Sequence, residues 1–204
     1  MKKVLVMLGV MLFSASAFAL NVEAPADKDC AKQKAEFEAS AAGQRVDFVV
    51  QHILINMADP LENMTDEQAQ PLAVCYATFR VKGEALSSFV RDNAGIFPGD
   101  VSGKEKANLL AFATRVEQLS EKAAFDQVVA KNNDLAIMSY VFTNMLNPMD
   151  QMSASQAAAK AAIYKTYKVK GRPLSEFIRE QSLHFDMYAE TRLDNFADKI
   201  DPNL

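Results

Sequence analysis

Residues 56–92 recur at 144–180 with a constant offset of 88, and 16 of the 37 aligned positions are identical. Tyr76-Ala77-Thr78-Phe79-Arg80-Val81-Lys82-Gly83 returns as Tyr164-Lys165-Thr166-Tyr167-Lys168-Val169-Lys170-Gly171. The match runs on from Leu86-Ser87-Ser88-Phe89-Val90-Arg91-Asp92 to Leu174-Ser175-Glu176-Phe177-Ile178-Arg179-Glu180. Upstream it pairs Asn56-Met57 with Asn144-Met145, Pro60 with Pro148, Met64 with Met152 and Gln68-Ala69 with Gln156-Ala157. Unrelated helical segments share only a few such identities. A chain patterned this way builds its fold from one unit used twice.

Each copy reads as a series of short helices. Phe48, Val49, His52, Ile53 and Asn56 fall at helical spacing, with Pro60 as the expected end; Leu135, Met138, Val141, Phe142 and Met145 do the same before Pro148. Thr65-Asp66-Glu67-Gln68 and Ser153-Ala154-Ser155-Gln156 have the form of capping boxes, which start a second helix. That helix is expected to reach Lys82 or Lys170, with the lysine facing the negative helix end and Gly83 or Gly171 as the left-handed residue beyond it. A third helix carries Leu86, Phe89 and Val90, or Leu174, Phe177 and Ile178, and Pro173 suits its first turn.

A fourth helix closes each copy, over about 103–129 and about 187–199. Phe97-Pro98-Gly99-Asp100 introduces the first of these as a turn, and Lys131-Asn132-Asn133-Asp134 marks the boundary between the copies. No segment sustains the period-two alternation of a strand. The expected fold is all-α, with roughly eight helices: two tandem copies of a multi-helix unit packed as one pseudo-twofold bundle. The divisions are 1–19, a leader; 20–44, with a first helix; 45–131, the first copy; and 132–204, the second.

Residues 1–19 read as a cleaved secretory signal. Lys2 and Lys3 precede the apolar run from Val4 to Phe13, and Ala17-Phe18-Ala19 supplies the small residues for cleavage after Ala19. The run is short for a membrane span, and no second stretch of about 18 apolar residues occurs. The expected compartment is the bacterial periplasm. The formal charge is −4. A chain without a long basic run gives no footing for nucleic acid or an anionic membrane face. Two cysteines in an oxidising compartment, with no CxxC, read as a Cys30–Cys75 disulfide closing a loop of about 45 residues.

Signals for chemistry are sparse. His52 and His184 do not belong to the recurring pattern and offer no metal-binding spacing. There is no GxSxG, the recurring serines Ser87 and Ser175 lie on helices, and no carboxylate pair recurs. The expectation is therefore a non-enzyme with no cofactor. Met145, Met149 and Met152 are spaced as a thioether cluster of the kind that binds Cu(I), although core packing explains them first and Pro148 interrupts their helix. Tyr76, Arg80, Lys82 and Arg91 recur as Tyr164, Lys168, Lys170 and Arg179, a set able to contact an anionic ligand or a partner once per copy; helix capping is the competing explanation.

The segments Met64-Thr65-Asp66-Glu67-Gln68 and Met152-Ser153-Ala154-Ser155-Gln156 resemble the doubled Leu-Thr-x-x-Gln motif of the small Spy/CpxP-type periplasmic chaperones, with Met for Leu and, in the second, Ser for Thr. That resemblance implies a chaperone-like role; any capping box has the same form. The function expected from the sequence is a helical binding protein whose partner is another envelope protein. The alternative is a small-ligand or Cu(I) binder that uses a groove between the copies or the methionines.

Overall fold

The computed structural model describes residues 28–96 and 103–202. The expected signal segment 1–19 and the Phe97–Asp100 turn lie outside the described residues. The chain is mostly helical, with nine continuous helices among the described residues and only two-residue strands. None of the described helices is long and apolar enough to cross a membrane.

Helix α1 (Lys28–Ala42) is followed by α2 (Val46–Ile53), a π-helical turn (Leu54–Ala58) and α3 (Asp59–Glu62), which form one continuous rod. Pro60 does not end it, contrary to the expectation above. Proline has no N–H and crowds the carbonyl four residues back. The ladder relieves this by widening: Asp59, just before the proline, donates to the Leu54 carbonyl five residues back. Asn56 then adds a side-chain donor to the His52 carbonyl at 3.1 Å. The rod α7 (Asp134–Tyr140), π-turn (Val141–Leu146) and α8 (Asn147–Asp150) solves the Pro148 problem in the same way. Asn147 donates to Phe142, and Asn144 to the Tyr140 carbonyl at 3.3 Å. Within these rods Phe48 and Leu135 face outward and are exposed, so the apolar stripe is narrower than the sequence reading drew it.

Helices α4 (Asp66–Ala77) and α9 (Ala154–Tyr164) begin at the two expected capping boxes, and both reciprocal hydrogen bonds form in each. Their ends differ from expectation. They stop at Ala77 and Tyr164, and the next residues make antiparallel ladders, β1 (Arg80–Val81) with β2 (Glu84–Ala85) and β3 (Lys168–Val169) with β4 (Arg172–Pro173). Lys82 and Gly83 have φ of 51° and 90°, and Lys170 and Gly171 have 52° and 82°. Left-handed φ at both central residues is the geometry of a two-residue hairpin turn, so each Lys-Gly pair makes a β-turn and caps no helix. Pro173 stands at the N-cap of the following helix rather than in its first turn.

Helices α5 (Leu86–Asn93) and α10 (Leu174–Ser182) follow at once. The last long elements are α6 (Lys104–Ala130), of 27 residues, and α11 (Met187–Ile200). The buried apolar residues form two clusters. Leu109, Phe112, Ala113, Val116 and Leu119 of α6 belong to the first, with α1 to α5. Ala124 and Phe125 of the same helix belong to the second, with α7 to α11. Each fully buried Phe or Leu contributes about 1.5–3 kcal/mol of transfer free energy, so α6 is anchored firmly at both ends.

Contacts also match across the two clusters. Phe37 lies 5.8 Å from His52 and 5.4 Å from Phe79, ring centre to ring centre; Phe125 lies 5.9 Å from Tyr140 and 5.2 Å from Tyr167. Lys34 pairs with Glu38, and Lys122 with Asp126. These pairs sit 88 positions apart. Leu109, Phe112, Ala113 and Val116 match Leu193, Phe196, Ala197 and Ile200, all buried, at an offset of 84. The change of offset falls between α5 and α6, where the connection to α11 is shorter.

Cys30 and Cys75 are joined, with their Cα atoms 5.7 Å apart, as the sequence led one to expect.

Candidate functional site

The eight recurring polar residues do not form one ridge. Tyr76 is half-buried with its ring against Phe79 and Phe112, and burial pushes its phenol up. Tyr164 is fully buried and donates to Glu121 at 2.6 Å. Arg91 donates to Glu117 of α6 through both terminal guanidinium nitrogens, and Arg179 donates to Asp198 at 2.8 Å and to the Asp201 carbonyl at 3.0 Å. Arg80 turns back on its own chain, donating to the Ala77 carbonyl at 3.2 Å and the Phe79 carbonyl at 2.9 Å. Lys82, Lys168 and Lys170 are exposed on the hairpins, and Lys170 pairs with Asp134 at 2.7 Å. The tyrosines are packed inside, and the arginines are tied to their own chain even where, as at Arg80 and Arg91, they are exposed.

The methionines are interior. Met145 and Met149 are buried and Met152 packs against the same core. The helix carrying the first two runs through Pro148 without a break, which corrects the reason given above for doubting a shared face. Among the described residues no three His, Cys, Asp or Glu side chains gather to hold a metal ion. His52 and His184 are exposed. A shallow, open groove of about 470 Å³ runs along α6 beside the start of α4, lined by Leu110, Ala111, Thr114, Arg115 and Asp66 among others. It lies in the first half of the molecule and not between the halves.

A polar seam joins the two clusters along one face of α6. Glu117 faces Arg91 and Ser87 of α5, which hold its carboxyl below the ordinary range against the opposing effect of burial. One turn later, Glu121 accepts from Lys160 of α9 and from Tyr164. Burial, with the Glu121 charge beside it, pushes the Tyr140 phenol up to about 12 and those of Tyr164 and Tyr167 higher still. The Tyr167 hydroxyl is buried and has no hydrogen-bond partner among the described residues.

Three of the exposed large apolar side chains lie where α10 turns into α11. Leu183, Met187 and Tyr188 are 69%, 82% and 74% exposed. The corner is rigidly made: the Asp186 carboxylate caps α11 by accepting the Tyr188 and Ala189 N–H groups at 3.1 and 2.9 Å. Arg192, one turn along, sits with its guanidinium 6.0 Å from the Tyr188 ring and 4.8 Å from the Phe142 ring. It is fixed there by Asn147 at 3.0 Å and Asp150 at 2.7 Å. Arg192 and Lys199 keep the Asp150 carboxyl below its usual range. Phe142, Arg192 and Tyr188 make a pre-set platform next to Met187.

A smaller exposed pair, Phe48 and Ile55, lies on the α2 rod with His52 between them, and the Arg45 guanidinium is 5.7 Å from the Phe48 ring. Sequence reading missed the α10–α11 corner. A signal was present: the buried stripe of α11 is Leu193, Phe196 and Ile200, and Met187 and Tyr188 fall off it.

No protein family, curated protein or solved structure compared with this chain matches it.

Proposed function

We propose that the chain is an exported, non-catalytic binding protein of the bacterial envelope, made of two tandem copies of one helical unit packed as a single pseudo-twofold body. The second copy begins inside α6, which closes the first copy and opens the second. The recurring contacts at offsets of 88 and 84 support this reading, which puts the boundary in α6 in place of the loop at 131–134. The leader-like residues 1–19 and the disulfide support a periplasmic location.

One observation carries the binding role. Three large apolar side chains, each more than two-thirds exposed, sit on one capped corner beside an arginine already stacked on two rings. Exposed apolar side chains grouped at one corner and rimmed by polar residues are the usual mark of an interaction surface. Tyr, Met and Arg are the residue types enriched at the centres of protein interfaces, where a rigid platform loses little entropy on binding. The partner is an envelope protein that presents an apolar patch to this corner.

The test is capture from envelope extract by tagged protein of residues 20–204. Two variants go with it: Leu183→Ser with Met187→Ser and Tyr188→Ser, and Arg80, Lys82, Lys168 and Lys170 all changed to Ser. One stoichiometric partner, lost with the triple change and kept with the quadruple change, supports the proposal. No partner, or one lost only with the quadruple change, overturns it.

A further inference from the structure

Among the described residues, α1 buries a narrow stripe against the rest of the molecule. Phe37 enters the core against His52 and Phe79, Ala41 is buried, and Glu38 accepts the Arg80 N–H at 2.7 Å. Cys30 is bonded to Cys75. Much of the helix is solvated; the Lys32–Glu36 pair, at 3.8 Å, has side chains 74% and 67% exposed. Only Gly43, Gln44 and Arg45 connect α1 to α2. A 15-residue helix of this kind is marginal by itself in water.

The second cluster shows what its counterpart of this seat requires. There Phe125 packs against Tyr140 and Tyr167, on a helix that arrives unbroken from the first cluster. Lys34-Ala35-Glu36-Phe37-Glu38 and Lys122-Ala123-Ala124-Phe125-Asp126 share a Lys, a central Phe and an acid that pairs with the Lys. Continuity of the chain holds the second of these helices in place. For α1 the disulfide supplies that tie.

We infer that α1 is an exchangeable helix and that its seat takes the α1 of a second copy of this chain. While Cys30 and Cys75 are thiols, α1 leaves its seat, and the exposed ring faces of His52 and Phe79 accept an identical helix. A helix on a short hinge is the kind of element that such swaps exchange. Oxidation then fixes the product. Each interchain bond forms as one Cys30 thiol and one Cys75 thiol pass two electrons and two protons to a disulfide oxidant, such as oxidised glutathione, which leaves as two thiols. The swapped dimer carries two Cys30–Cys75 bonds between chains.

Two single-cysteine chains test this, Cys30→Ser supplying the seat and Cys75→Ser supplying the helix. They are refolded together with oxidised glutathione, and the products are read by non-reducing electrophoresis and peptide mapping. The expected result is a Cys30–Cys75 heterodimer, exceeding any homodimer of either chain alone and reduced about tenfold by Phe37→Ser in the helix donor. No heterodimer, or one indifferent to Phe37→Ser, overturns the inference. A second arm needs no substitution: the reduced natural protein is reoxidised at rising concentration. A dimer linked only through Cys30–Cys75, growing with concentration, supports the exchange, and monomer at every concentration overturns it.

Discussion

Phe37 of α1 and Phe125 of α6, 88 positions apart, have matching neighbours: each ring packs against residue 52 or 140 and against residue 79 or 167. Their tethering differs. Phe125 is fully buried on a helix held from both ends, whereas Phe37 is 8% exposed on a helix held by the disulfide. Truncating Phe125 to Ala should cost about 3–5 kcal/mol, and Phe37→Ala less, because the freed α1 can fray without disturbing the second cluster. Urea unfolding of the two variants checks the order; equal losses would contradict it.

Opening the disulfide by changing Cys30 and Cys75 to Ser should lower stability by about 2–4 kcal/mol. Hydrogen exchange should rise first in α1 and in the Arg80 amide, whose acceptor Glu38 is carried by α1.

At the hairpin tips, Lys82 and Lys170 hold left-handed φ, where Asn is at home and a long side chain is strained. Lys82→Asn should stabilise the fold by about 0.5–1 kcal/mol. Lys170→Asn should gain less, because the same change removes the pair with Asp134. Thermal unfolding of the two single variants reads the difference.

Glu121 accepts from both Lys160 and Tyr164 in a partly buried setting. Glu121→Ala should cost about 1–3 kcal/mol, since it strands the buried Tyr164 hydroxyl. Glu121→Gln should recover part of this by keeping an acceptor for the phenol. Denaturant midpoints of the two variants separate lost hydrogen bonding from lost charge.

Stability should fall at both ends of the pH scale. The Glu38, Glu117 and Asp150 carboxyls have folded pKa values below their unfolded ones, so their contribution is full above the ordinary carboxylate range and is lost as pH falls through it. Tyr76, Tyr140, Tyr164 and Tyr167 have folded values above their unfolded ones. Their contribution is full below about pH 10 and is lost as pH rises toward and past 12. Phenolate absorbance followed against helix content checks the alkaline side: those four phenols should ionise together with unfolding.

Much of this architecture could be read from the chain because backbone chemistry is local. The capping boxes at Thr65 and Ser153 and the start of α11 at Met187 follow from short-range hydrogen bonding. The errors came where two local rules compete. Proline reads as a helix stop, yet a widened turn with Asn56 or Asn144 as an extra donor carries the helix through. Lys-Gly reads as a helix end, yet two left-handed residues in a row make a hairpin. The likeness of Lys34 and Phe37 to Lys122 and Phe125 was present in the sequence, and the ring contacts draw attention to it. The α10–α11 corner was harder to see, because exposure depends on what the rest of the chain leaves uncovered.

The most direct measurement is hydrogen exchange through α6 in rising urea, followed separately for residues 104–116 and 124–130. If one helix closes the first copy and opens the second, the two stretches should share one midpoint and one opening free energy. Two separate midpoints would contradict the single body and leave two independent bundles joined by a passive connection.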